Sequence, residues 1–312
     1  MSALLDRPWI WAWLAAFAAF AATAAISQSQ GIAGLLVAAL TFSAFTVLVG
    51  LGQMFVITLG PGNIDLSIPA TMTLAATLSL KFMGGAGALA LPGLAVALAV
   101  GLGAGLMNYA LILLLRIPPI IATLAASFVY QSLAIWSNRG LRIKPPDLLS
   151  DLMLGRTLGL PNVAYIALAA CLLAWVALER ARYGREVTAI GQNLRAARFA
   201  GIAVERVRCA TYLLSAALAG VTGFLLACFS GGAALNMGQE YLLSSIAVVV
   251  IGGSSIGGGR SNVPGVPAGA LFLFLIVSML NSYGLGAGVR LLLTGVIIVG
   301  IVALGTRSRT AR

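Results

Sequence analysis

Of 312 residues, 60% are hydrophobic and only 9% are charged, with no histidine and a formal net charge of +11. A soluble domain carries about 25% charged residues, and a mean hydropathy of +1.03 belongs to a chain dissolved in a bilayer. The lack of histidine removes the neutral-pH proton shuttle, the imidazole metal ligand and the base of most nucleophilic triads, which disfavours a metal centre and most catalytic chemistry.

Spans of roughly 20 apolar residues, each with its share of loop, divide the chain into about ten and leave no room for a separate soluble domain. The expected fold is therefore an all-α membrane protein, with residues 1–312 forming one transmembrane domain. In chain order the apolar runs lie at 9–26, 32–59, 66–83, 87–115, 118–136, 162–178, 209–229, 241–252, 264–283 and 289–305. Arg7 and the Ala22-Thr23-Ala24 triplet give the first run some likeness to a signal peptide. Trp9, Trp11 and Trp13 instead mark an interface-anchored helix that is retained. Cys171, Cys209 and Cys228 lie in or at the ends of these runs and fit no metal or disulfide spacing, so they read as small packing residues.

Ten spans put both termini on one side. Placing that side in the cytoplasm sets 13 Lys and Arg inside against six outside, as the positive-inside rule prefers. Inside fall Arg7, Arg116, the arginines of 179–208, Arg260, Arg307, Arg309 and Arg312. Outside fall Lys81, Arg139, Arg142, Lys144, Arg156 and Arg290. The positive charge thus serves orientation, and a nucleic-acid partner is not expected.

Two segments interrupt the helices. The first is Gly60-Pro61-Gly62-Asn63-Ile64-Asp65-Leu66-Ser67, and the second runs from Gly252 to Pro267 with six Gly and two Pro in 16 residues. Irregular backbone at membrane depth must be satisfied by protein or by water in a cavity. Broken segments in both halves of a chain point to a transport pathway, although both are also read as tight turns at span ends. The steps Gly101 to Gly105, Gly265 to Gly269 and Gly284 to Gly288 fit close helix crossings.

Neither lysine follows a glycine, so no nucleotide-cradling P-loop is present and any ATP is hydrolysed by another chain. Gly253-Ser254-Ser255-Ile256-Gly257 has the outline of a nucleophile elbow, but no histidine exists to serve as its base. Asp65 is the one acidic residue beside a helix break. It is read either as a pathway group or as a cap for the helix that follows. Asn108, Thr123, Tyr130, Gln131 and Asn281 lie in or beside spans, where they suit a path for a neutral polar solute or hydrogen bonds between helices.

The longest charged stretch is 179–208. Within it Asn193 is suited to cap a short helix over 194–200 and Gly201 to end it in the left-handed conformation, giving an amphipathic element at the membrane surface.

Here the sequence resembles a known family. Gly184-Arg185, Ala189-Ile190-Gly191-Gln192-Asn193 and Ala196-Ala197-Arg198-Phe199-Ala200-Gly201-Ile202 resemble the ribose-type permeases of ABC importers. Gly62-Asn63-Ile64-Asp65-Leu66-Ser67-Ile68, Leu115-Arg116-Ile117-Pro118-Pro119-Ile120-Ile121-Ala122-Thr123-Leu124 and the Gly-rich stretch 247–260 are similar to further elements of that family, in the same order. Two departures stand out: Leu194 and Arg195 replace a common acidic pair, and Asn63 replaces a second Gly.

The resemblance implies the permease subunit of a monosaccharide importer in the inner (plasma) membrane. It implies a homodimer or paired subunit with the pathway at its interface, an outer solute-binding protein and a cytoplasmic ATPase that binds the ATP, with no cofactor on this chain. It makes Gln192, Asn193, Leu194, Arg195, Ala196, Ala197, Arg198 and Gly201 the coupling helix that docks on the ATPase. The cations Arg139, Arg142, Lys144 and Arg156, placed outside against the charge rule, suit docking of the binding protein. Three other readings stand beside this one: a branched-chain amino acid permease of the same superfamily, an ion-coupled transporter using Asp65, and an intramembrane hydrolase at Ser255.

Overall fold

Proline sets where many of the helices begin. It has no N–H to leave unpaired in a first turn; it opens or immediately precedes five of the described helices and stands second in another. The computed structural model describes residues 8–26, 31–138, 143–283 and, between 286 and 300, residues 286, 288, 289, 292–297, 299 and 300. In chain order the helices are α1 (Pro8–Ile26), α2 (Gly31–Thr58), α3 (Ile68–Met83), α4 (Ala90–Leu114), α5 (Pro119–Ser137), α6 (Asp147–Leu154), α7 (Asn162–Glu179), α8 (Arg182–Gln192), α9 (Leu194–Phe199), α10 (Val204–Ser230), α11 (Tyr241–Ile251) and α12 (Gly265–Ser282). A 3₁₀ turn, Gly87–Leu89, leads into α4, and two-residue strands β1 (Arg156–Thr157) and β2 (Leu160–Pro161) form an antiparallel ladder with Arg156 opposite Pro161.

Helices α2 and α10 form the centre. From Val47 to Thr58 every residue of α2 is buried, as expected of a helix that is apolar all round and enclosed by others. Helix α10 reaches α2, α3 and α4 through small residues. A Cβ on Gly101 would lie 2.5 Å from the Ala216 carbonyl oxygen and one on Gly105 2.7 Å from that of Tyr212, so α4 and α10 touch backbone to backbone. Gly269 approaches the Val248 carbonyl in the same way, joining α12 to α11. These are two of the close crossings expected from the glycine spacing; Gly284 of the third lies outside the described residues. Helix α1 belongs to the bundle: Thr23 Oγ1 donates to the Leu275 carbonyl at 3.2 Å and Trp13 Nε1 to that of Pro264 at 3.1 Å.

Among the described residues, seven helices are long and apolar enough to cross a membrane, namely α1, α2, α4, α5, α7, α10 and α12. Two of the ten expected spans are shorter. Helices α3 and α11 have 16 and 11 residues, which rise about 24 and 16 Å against a hydrocarbon core of about 30 Å. Each lies next to a Gly/Pro break, so the runs at 66–83 and 241–252 form helices shorter than a full span, α11 about half of one. The tenth run, 289–305, lies largely outside the described residues, as do Arg307, Arg309 and Arg312.

The structure also corrects two stretches read as loops. Residues 179–208 contain α8 as well as α9, because Tyr183, Val187 and Ile190 form an apolar face that sits in the core beneath the charges. Residues 137–160 contain α6 and β1, and α6 meets the 3₁₀ turn ahead of α4, where the Cβ direction of Gly87 faces Pro146 at 3.9 Å. Cys228 is buried as a packing residue, while Cys171 and Cys209 are half-buried; all three are free thiols.

Candidate functional site: two helix breaks and the coupling corner

The first break folds around Asp65. Its carboxyl is 1% exposed, and the partners of its oxygens are neutral. Oδ1 accepts from the Ser67 N–H at 3.0 Å, the Ser67 hydroxyl at 2.6 Å and Asn108 Nδ2 at 3.5 Å, and Oδ2 accepts from the Ser215 hydroxyl at 3.0 Å. Asp65 therefore ties α3, α4 and α10 together. The bond from the Ser67 N–H, a free donor at the start of α3, is the contact that the capping reading of Asp65 expected, although the N-cap position itself is Ser67, whose own side chain makes no capping bond.

The surrounding hydrogen bonds extend this group. Asn108 Nδ2 donates to Ser67 Oγ at 2.7 Å, and the Tyr130 hydroxyl donates to Asn108 Oδ1 and to the Ala104 carbonyl, both at 2.9 Å. The Asp65 N–H donates to Gln53 Oε1 at 3.3 Å, and the Leu66 N–H to Thr123 Oγ1 at 3.0 Å. Asn63 Oδ1 accepts from Tyr212 at 3.2 Å while its Nδ2 donates to the Gly60 carbonyl. Gln53 Nε2 is buried without a hydrogen-bond partner.

Of the expected pathway residues, Asn63, Asp65, Asn108, Thr123 and Tyr130 come together at this break. Gln131 does not join them; its Nε2 donates to the Leu235 carbonyl at 2.8 Å. Asn281 is exposed in the last turn of α12 and contributes none of the bonds that converge on Asp65. Gln53, Ser67, Tyr212 and Ser215 were not foreseen. Their only signal in the sequence is a polar atom inside an apolar run, shared with many hydroxyls that merely bond back along their own helix, as Thr58 does to the Met54 carbonyl.

The second break closes on itself and then on the first. Ser255 N–H donates to the Arg260 carbonyl at 2.9 Å, Asn262 N–H to Ser254 Oγ at 2.9 Å and Asn262 Nδ2 to the Gly252 carbonyl at 2.7 Å. Gly259 N–H donates to the Thr58 carbonyl at 2.9 Å, so the second irregular segment is hydrogen-bonded to the end of α2, just ahead of the first. Gly258 lies against Gly60. Gly191, at the end of α8, is wedged between the Thr58 carbonyl and Gly259, where any side chain would collide with backbone. Gln192 Nε2 adds a bond to the Gly259 carbonyl at 3.3 Å. Both breaks thus meet at the corner that leads into α9. A cavity of about 400 Å³ opens there, lined by residues that include Asn63, Pro119, Ile190, Gly191, Asn193 and Arg208.

Helix α9 forms as its ends dictate. Asn193 Oδ1 accepts from the Ala196 N–H at 3.0 Å, and Gly201 takes the left-handed conformation at φ +79° while the Ile202 N–H bonds the Ala197 carbonyl at 3.1 Å. The helix ends at Phe199, one residue short of the expected 194–200. Ala197 is buried against Val187, Ile190 and Val204, while Leu194, Arg195, Ala196 and Arg198 are exposed. Arg198 Nη2 bonds Glu205 Oε1 at 2.6 Å, and Glu205 Oε2 takes the Tyr109 hydroxyl at 2.6 Å and lies 3.5 Å from Arg208 Nη1. On α8, burial pushes the Tyr183 phenol up to about 12, offset in part by its bond with Thr211, so it stays neutral at physiological pH. Of the four cations expected to meet a binding protein, Lys144 and Arg156 are exposed, and Arg139 and Arg142 lie outside the described residues.

A bundle of membrane-length helices with two breaks and a capped surface helix has the form of a multi-pass transport subunit. The chain belongs to the family described as branched-chain amino acid transport system / permease component, whose model matches residues 35–302. It is 33% identical to the ribose import permease protein RbsC of Bacillus subtilis over 85% of this chain and 82% of that one. It is 30% identical to the autoinducer 2 import system permease protein LsrC of Enterobacter sp. over 100% of this chain and 90% of the other. Against LsrC of Klebsiella pneumoniae it is 33% identical over 68% of this chain, and the match spans 62% of that protein's length. No solved structure matches the chain.

Proposed function

We propose that this chain is the membrane-spanning subunit of an ATP-driven importer for a monosaccharide or a similar small polar solute. The observation that carries the reading is the neutral hydroxyl and amide cluster of the first break, seated directly on the coupling corner. Asn63 lines the cavity at this corner, and Asn108, Thr123 and Tyr130 are buried beside it, hydrogen-bonded to protein partners. This polar setting suits a sugar, and relatives named for ribose and autoinducer 2 import support that solute class. An amino acid substrate needs a cation or free helix N-terminus against its carboxylate, whereas the charge buried in this break is a carboxyl and Arg208, the cation lining the neighbouring cavity, is already paired with Glu205. The ion-coupled alternative is disfavoured because both Asp65 oxygens already accept protein donors.

In this reading two copies, or a paired subunit, enclose the path. The seven long helices, the two shorter ones and the run 289–305 make ten segments, with both termini cytoplasmic. The segment 192–201 docks on a separate ATPase that binds and hydrolyses the ATP, and Arg139, Arg142, Lys144 and Arg156 receive the binding protein on the other face. The experiment is uptake into proteoliposomes holding the permease with its ATPase and binding protein. Labelled ribose is expected to accumulate and labelled leucine to stay out; leucine uptake without ribose uptake would refute the sugar reading.

A further inference from the structure

Two carboxyl groups anchor opposite ends of one continuous structure. Glu205 holds the coupling helix through Arg198, and Asp65 holds the first helix break through Ser67. Two helices run between them side by side. On α10, Glu205 is followed by Tyr212, which bonds Asn63, and by Ser215, which bonds Asp65, about 10 and 15 Å further along the axis. On α4, the neighbours Asn108 and Tyr109 reach one anchor each, since Asn108 bonds Ser67 and Asp65 while Tyr109 bonds Glu205. Between those attachment points α4 and α10 touch through Gly105 and the Tyr212 carbonyl, which leaves no space for one to slide on the other.

We infer that Glu205 and Tyr109 are positioning residues that lock α9, α4, α10 and the 60–67 break into one rigid lever, so that a displacement of the coupling helix moves the break with it. The inference rests on the coupling reading above and adds the residues that transmit it. Elsewhere α9 is held by the buried Ala197 and by backbone continuity, and neither fixes its tilt against α4. The Arg198–Glu205 ion pair does so at the exposed edge of α9, because Glu205 is itself held to α4 by a short, directional and charge-assisted hydrogen bond from the buried Tyr109 phenol.

The test uses Glu205→Gln and Tyr109→Phe, singly and together, since both keep side-chain volume. The number of ribose molecules taken up per ATP hydrolysed is measured in the reconstituted importer. That ratio is blind to a mere loss of folded protein. It is expected to fall about threefold to tenfold in each variant, with the double variant no worse than the more severe single one. Spin labels at Pro61→Cys and Arg195→Cys, with the three native cysteines replaced by Ala, report the lever directly in lipid nanodiscs. One narrow distance is expected in the parent and a broadened distribution in each variant. Unchanged distances and an unchanged ratio in all three variants overturn the lever. The label distances require no solute, so a parent protein that fails to import ribose yet shows the expected change in distances contradicts the sugar reading alone.

Discussion

Asp65 separates a structural carboxyl from an exposed one. Its oxygens accept from Ser67, Asn108 and Ser215, all buried, so losing it strands several donors at once. Each stranded group costs about 1–3 kcal/mol. Asp65→Ala is therefore expected to lower the thermal midpoint in detergent sharply and to abolish uptake. Asp65→Asn keeps one carbonyl oxygen, and Ser215 can turn its hydroxyl to accept from the new amide, so partial uptake with a small loss of stability is expected. Full uptake by Asp65→Ala would show that this hydrogen-bonded group does not hold the break. The sequence pointed to Asp65, Asn63 and Asn108 because amides and carboxyls are rare in apolar runs. It was silent on Ser215 and Tyr212, since a hydroxyl in a membrane helix is satisfied by its own backbone more often than by a distant partner.

At the scale of elements, α9 depends on its caps more than on its six residues, too few to be stable alone. Nothing lies within 4 Å of where a Cβ on Gly201 would sit, so a substitution there acts through the backbone at φ +79° and not through a clash. Gly201→Val places a β-branched residue in the left-handed region at about 1–2 kcal/mol. The expected phenotype is an inserted protein that loses uptake and ATPase stimulation together; normal uptake would make α9 a passive tether. This helix was legible because its cap residues are local in sequence. Helix α8 was not, because its charged residues hide an apolar face of only three side chains, Tyr183, Val187 and Ile190. The short helices α3 and α11 read as spans because their apolar runs, 66–83 and 241–252, match Ile68–Met83 and Tyr241–Ile251 almost residue for residue, and apolar composition does not tell a short helix from a full crossing.

For the whole molecule, charge sorts the two ends of the bundle. Arg116, Arg180, Arg195, Arg198, Arg206 and Arg208 lie toward the end that holds both breaks, while Lys81, Lys144 and Arg156 lie toward the end that holds α6 and β1. The account therefore places the breaks on the cytoplasmic side. A single cysteine at Arg195→Cys is expected to resist an impermeant thiol reagent in intact cells and to react once the membrane is opened; labelling in intact cells would invert the topology. The central claim is that ATP hydrolysed elsewhere drives a neutral solute through this chain. Sealed vesicles test it most directly, with labelled ribose and binding protein outside and either ATP with the partner ATPase inside or an imposed proton or sodium gradient with no ATPase. The account predicts accumulation in the first case and none in the second; accumulation on an ion gradient without the ATPase would contradict it.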